Sequence, residues 1–290
     1  MKVLSYGSLN IDYVYQLDHI VKEGETISSS SLEVIPGGKG LNQSIALAKA
    51  GAEVFHAGKI GTDGTFLLDW CQKHGVHTEW VEVSDEEKTG HAIIQVDKNG
   101  QNSIVLFGGG NQKQSKEQID KVFEKFEKGD VLLLQNEVNL LPYLIEEGYK
   151  KEMMVVLNPS PMNSSIFDCD LSKVSLFFLN EVEGEQIAGS SDELKICEIL
   201  KAKYPNGKFV LTLGSKGAYY VDKHVSEFQE AFKVDVVDTT AAGDTFTGYF
   251  LANMLEGKEI QECLRVAAKA AAIAVSRKGA SVSIPNKDEL

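Results

Sequence analysis

The chain has 290 residues, 43% hydrophobic and 24% charged, enough to bury one large core, with a formal net charge of -13 and a pI near 5.0. That acidic balance opposes nucleic acid and anionic membranes as partners, while backbone N–H groups and a few local lysines can still hold a small anion such as a phosphate. The cysteines Cys71, Cys169, Cys197 and Cys263 form no C-x-x-C pair and are expected as buried free thiols. With neither a signal-type start nor an apolar run near the roughly 18 residues of a membrane span, a reducing, cytoplasmic home is expected.

In chain order, short apolar runs alternate with helix-period stretches. "KVLSYG" opens the chain, "LNQSIALAKAG" reads as a helix, "AEVFHAGKIG" as a strand and "GTFLLDWCQKHG" as a helix. "SKEQIDKVFEKFEKG" reads as an amphipathic surface helix. The strand-type runs "DVLLLQNE", "MMVVLNPS", "SLFFLNE" and "FVLTLG" follow, with helix-forming "DELKICEILKAKY" before the last. Strand–helix alternation predicts an α/β domain with a central, mainly parallel sheet flanked by helices, and ligands in the crevice at the carboxyl ends of its strands. Residues 11–36 and about 89–107 instead alternate with period two, and the second segment contains the turn signal "DKNGQN". They predict a small antiparallel β lid on a single domain spanning 1–290, with an edge extension of the main sheet as the alternative.

Near the C-terminus, "FKVDVVD" reads as a strand, "TTAAG" as a tight turn and "DTFTGYFLANMLEG" as an amphipathic helix. A helix N-terminus with small residues offers free N–H donors to a phosphoryl group, and Asp244 beside it could accept a proton from an attacking hydroxyl. Helix capping is the plainer role for the same acid. The first strand run gives no G-x-G-x-x-G, which disfavours a dinucleotide enzyme, and no G-x-x-x-x-G-K-[ST] occurs, which disfavours a P-loop enzyme.

Beside this reading, "GSLNID" (7–12), "GGKGLNQ" (37–43), "GTDG" (61–64), "NPSP" (158–161), "NEVE" (180–183), "TLGSKG" (212–217), "VVDTTAAGDTF" (236–246) and "RKGASVSIP" (277–285) together resemble the PfkB family of carbohydrate kinases along nearly the whole chain. The resemblance implies an ATP-dependent sugar kinase with D-ribose phosphorylated at O5 as the expected reaction. Fructose, another sugar or a nucleoside is the alternative substrate, and a catalytically silent sugar-binding regulator the alternative of another class.

By the same resemblance, Asp244 is the catalytic base and Ala241, Ala242 and Gly243 form the anion hole. The sugar would meet Asn10, Asp12, Gly38, Lys39, Gly40, Asn42 and Glu137. ATP would meet Asn180, Glu183, Thr212, Gly214, Ser215, Lys216, Gly217, Gly243 and Ala268, with Mg²⁺ near Asn180 and Glu183. A monovalent cation, K⁺, would lie at Asp238, Thr240, Ala274, Arg277, Gly279 and Ser283, mostly on backbone carbonyls. Three departures bear on substrate fit: Leu41 stands where the family has a smaller alanine, "FLNE" replaces a proline-containing "PNE", and Ala268 falls where a polar residue commonly lies near adenine. A small sheet cannot bury its apolar faces alone, so the expected protein partner is a second copy of the chain, joined through the lid.

Overall fold

The structure, a computed structural model, describes residues 1–290. Its strands are β1 (Val3–Tyr6), β2 (Asn10–Gln16), β3 (Ser31–Gly37), β4 (Val54–Gly61), β5 (Val76–Ser84), β6 (Gly90–Val96), β7 (Asn102–Phe107), β8 (Val131–Gln135), β9 (Met154–Asn158), β10 (Leu176–Asn180), β11 (Lys208–Thr212), β12 (Gly217–Val221) and β13 (Ser226–Glu230). The α-helices are α1 (Lys39–Lys49), α2 (Phe66–Lys73), α3 (Lys116–Phe123), α4 (Leu141–Lys150), α5 (Glu181–Ala188), α6 (Glu193–Lys203), α7 (Ala242–Leu255) and α8 (Ile260–Val275).

Nine strands form the main sheet in the order β13-β12-β11-β10-β9-β8-β1-β4-β5, parallel except for the β11–β12 and β12–β13 pairings. The continuous apolar run of β8 is buried throughout, as a parallel strand covered on both faces must be. Alternate residues separate onto two cores. Val3, Val131, Leu133 and Phe178 meet α1, α7 and α8 on one face; Leu4, Leu132, Leu134 and Phe177 meet side chains of α3, α4 and α6 on the other.

The other four strands form the lid in the order β3-β2-β6-β7. Its two outer pairings are antiparallel and β2–β6 is parallel. β2 leaves the main sheet after β1 and β6 leaves it after β5; β1, β4 and β5 run the same way, so the chain enters the lid twice in one direction and these strands meet in parallel. The predicted 97–101 turn is present: Asp97 Oδ1 accepts from the N–H groups of Asn99 (2.8 Å) and Gln101 (2.9 Å).

Two readings near the C-terminus are corrected. Residues 232–238 form no strand, because the chain must cross here from β13, at the edge of the sheet, to the ends of the parallel strands. Its N–H groups at Val237 and Asp238 donate instead to Val275 O at the end of α8 (2.8 and 3.1 Å). Helix α7 is not amphipathic: Asp244 to Asn253 are all buried, since it packs between α1, α8 and the sheet.

Candidate active site

A cleft of about 1180 Å³ opens between the lid and the carboxyl ends of the parallel strands. Each of β8, β9, β10 and β11 delivers polar residues to it, at Glu137, Asn158, Asn180 and Thr212 respectively. The lid supplies Asn10 and Asp12 from β2, and α1 begins against the same space with Gly38, Lys39 and Asn42.

At the floor stands Asp244, in the first turn of α7 and 7% exposed. Asn42 Nδ2 donates to its Oδ2 (3.1 Å) and Gln43 Nε2 to its Oδ1 (2.9 Å). Ala241 holds a left-handed backbone at φ 59 as the N-cap, a conformation uncommon for a residue with a Cβ. The N–H groups of Gly243 and Asp244 make no hydrogen bond within the protein and are free for an anion at the positive end of the helix.

The upper part of the cleft is rich in carboxylates. Glu137 accepts hydrogen bonds from Ser8 Oγ and from Lys39 N (3.0 Å), which seats it at the N-terminus of α1. Burial raises its pKa even though Ser8 and Lys39 pull the other way. Burial, with Glu137 nearby, pushes the Asp12 carboxyl up to about 7. For Lys39, burial works against the charge, but Asp244, Glu137 and Glu183 outweigh it and leave its pKa raised. Asn10 Oδ1 accepts from Asn111 Nδ2 (2.7 Å), and Asn111 is itself fixed by Leu9 N (3.1 Å).

On the opposite side, Asn180 and Glu183 form a reciprocal capping box: Asn180 Oδ1 accepts from Glu183 N (2.9 Å) and Glu183 Oε2 from Asn180 N (3.0 Å). Both also line the cleft, so the capping role and a ligand role coexist. Asp238 bridges two segments. Its Oδ1 accepts from Thr240 N (2.9 Å) and Thr240 Oγ1 (2.6 Å), and its Oδ2 from Gly279 N (2.9 Å). Burial opposes its charge, yet the bonds from Thr240 and Gly279 hold its carboxyl below the usual carboxylate range.

Of the residues expected at the site, Asn10, Asp12, Gly38, Lys39, Asn42, Glu137, Asn180, Glu183, Thr212, Gly214, Asp238, Thr240, Ala241, Ala242, Gly243, Asp244 and Gly279 line this one cleft. The rest lie behind it or beside it. Gly40 is packed against Ser8, its N–H donating to Ser8 Oγ (3.2 Å). Ser215 and Lys216 follow Gly214 in a single 3-10 turn, where Lys216 Nζ pairs with Glu193 (2.5 Å), and Gly217 is buried against the Gln229 backbone. Ala268 belongs to the core under α8 and does not reach the cleft. Ala274 is fully buried, Arg277 pairs with Glu289, and Ser283 Oγ donates to Ala280 O (2.8 Å). Leu41 also faces the core, so its extra bulk does not enter the cleft.

Sequence reasoning missed Ser8, Gln43, Asn111 and Gln135, all at most 2% exposed. The available signal was a polar residue inside an otherwise apolar element, as in "LLLQ" and "LNQSIALA".

A buried acid at a helix N-terminus with free amides, in a cleft at the ends of parallel strands and under a β lid, defines a phosphotransferase-type site. A model of the pfkB family carbohydrate kinases matches residues 1–287. The chain is 35% identical to a ribokinase of Haemophilus influenzae over 291 residues, covering 98% of this chain and 95% of that one. Among solved structures, Arabidopsis thaliana ribokinase complexed with ribose and ATP is similar at a TM-score of 0.88 and 32% identity, over 99% of this chain and 96% of that one. A Cryptococcus neoformans ribokinase in complex with ADP gives 0.87 and 33%, over 99% and 98%. This chain belongs to the PfkB family of carbohydrate kinases.

Proposed function

We propose that the protein is an ATP-dependent ribokinase that transfers the γ-phosphoryl group of ATP to O5 of D-ribose. The observation that carries this reading is Asp244, a buried carboxylate beside the unpaired N–H groups of Gly243 and Asp244 and open to the cleft. The sugar hydroxyl donates its proton to Asp244 as it attacks, and the amides at the start of α7, with Ala241 and Ala242 leaving room, receive the charge of the transferring group. The complex of the similar Arabidopsis ribokinase with ribose and ATP supports the choice of substrates.

The remaining roles follow the chemistry of the cleft. Asn10, Asp12, Asn42 and Glu137 carry the acceptors and donors that vicinal hydroxyls require. Lys39, raised in pKa by three carboxylates, carries positive charge between sugar and phosphate. ATP lies along Thr212 and Gly214, and Mg²⁺, which neutralises nucleotide phosphates, suits Asn180 and Glu183 through its water shell. A monovalent cation suits carbonyls of the 238–240 and 274–283 segments, with Asp238, already engaged by three donors, supplying charge rather than direct ligation. No helix is long and apolar enough to cross a membrane.

The lid also fits a homodimer. Ile93, Val105 and Phe107 project, exposed, from the face that does not line the cleft, while Ile104 and Leu106 line the cleft from the other, and a second lid would cover the first set. ADP release measured against a panel of pentoses, hexoses and nucleosides tests the reading. Turnover greatest with D-ribose supports it, and a preference for a hexose or nucleoside replaces the substrate while keeping the class.

A further inference from the structure

Behind the catalytic floor runs a chain of buried amides that none of the roles above uses. Gln43 and Gln135 are both fully buried, 92 residues apart in sequence, and joined by a bond from Gln135 Nε2 to Gln43 Oε1 of 2.7 Å. Gln43 Nε2 then donates to Asp244 Oδ1 at 2.9 Å. Burying an amide costs free energy unless it is bonded, and this chain leaves Gln135 Oε1 without a partner. Two glutamines kept in a core at that cost call for a role beyond packing.

The direction of the chain is dictated by its last member. An ionised carboxylate only accepts hydrogen bonds, so Gln43 must turn its NH₂ group to Asp244 and its carbonyl away. That carbonyl then needs a donor, which Gln135 supplies from the end of β8. With Asn42 Nδ2 on Oδ2, both oxygens of Asp244 are held by amides, and its plane is set before any sugar arrives. Gln135 touches neither the cleft nor Asp244; it acts only by fixing which way Gln43 points.

We propose that Gln43 is a positioning residue for Asp244 and that Gln135 locks its orientation, so that the relay sets the turnover rate and leaves substrate affinity alone. This rests on Asp244 being the base. Misplacing a reacting group by about 1 Å can cost on the order of 10²-fold in rate, and losing one of two holding bonds should cost about tenfold.

The test is steady-state kinetics with ribose and ATP on Gln43→Leu, Gln135→Leu, the double variant and Asp244→Asn, with thermal unfolding recorded for each. Expected is a kcat about tenfold lower in Gln43→Leu and several-fold lower in Gln135→Leu, with both KM values unchanged. In the double variant, Gln135→Leu should add nothing, because its effect passes through Gln43; a merely structural role would lower kcat again in that background. Gln135→Met, which keeps the bulk of the side chain but carries no donor, should remain as slow as Gln135→Leu. Wild-type kcat in Gln43→Leu, or in a stably folded Gln135→Leu should Gln43→Leu not fold, overturns the relay. An Asp244→Asn enzyme with normal turnover overturns the base assignment itself, a separate outcome.

Discussion

Gly248 of α7 rests directly on Ala46 of α1: a Cβ at position 248 would lie 2.4 Å from Ala46 Cβ and 2.8 Å from the Ala46 carbonyl carbon. This close crossing, one turn along α7 from Asp244 and one turn along α1 from Asn42 and Gln43, brings Asp244 and the amides that hold it together. Gly248→Ala cannot be absorbed by a flexible side chain, since backbone lies in the way. We expect a loss of about 1–3 kcal/mol of stability and a fall in kcat larger than any change in KM, checked by thermal unfolding and kinetics at a temperature where the variant is folded. Unchanged stability would show that the helices yield freely.

On the proposed reading, Asp12 links sugar binding to pH. With its carboxyl at about 7, it is largely protonated at pH 6 and ionised at pH 8. A carboxylate accepts from two hydroxyls, whereas a carboxylic acid spends one oxygen as a donor. The ribose KM should therefore fall as pH rises through about 7, by up to tenfold per unit on the acid side, while the ATP KM stays level. In Asp12→Asn the slope should vanish. A flat ribose KM from pH 6 to 8 in the wild type would separate Asp12 from the sugar.

Gly37 offers an independent approach to the same group. A Cβ there would fall 2.1 Å from Asp12 Oδ2, so Gly37→Ala must push the carboxyl aside. The ribose KM should rise about tenfold or more, in line with roughly 1.5–3 kcal/mol for a hydrogen bond to a charged group, with the ATP KM unchanged. Titration calorimetry with ribose reads this directly, and wild-type affinity would contradict it.

Much of this was legible because the physics was local. Strands β8–β11 are buried through their middles and so appear as short apolar runs, while the lid segments stand out because they lack the helix period that separates the strands of the main sheet. Asp244 and its small neighbours were visible from the motif they form. Residues 232–238 misled because alternating valines favour a strand, but the segment has to cross from β13 to the start of α7 and bonds at its end to Val275 O of α8 instead of to a strand. The periodicity of α7 misled because a helix enclosed on all sides has no polar face. Gln43 and Gln135 stayed hidden because their pairing spans 92 residues and exists only after folding.

Asp238 predicts the ionic requirement. Its bonds to Thr240 and Gly279 tie the turn before α7 to the 277–283 segment. If a monovalent cation shares that junction, K⁺ should raise kcat by ordering the anion hole, and Asp238→Ala should lose both the activation and most of the activity. Equal rates in K⁺ and in a bulky organic cation would remove the cation from the mechanism, and Mg²⁺ dependence should persist in every variant.

The most direct measurement follows D-ribose and ATP by ³¹P NMR with the wild-type protein and with Asp244→Asn. Asp244→Asn keeps the size of the side chain and removes the proton acceptor, so ribose binding should persist while kcat falls by about 10²-fold or more. The wild type should form ribose 5-phosphate and ADP in equal amounts. Phosphorylation at another hydroxyl, no transfer to ribose at all, or near-normal turnover by Asp244→Asn would contradict the account.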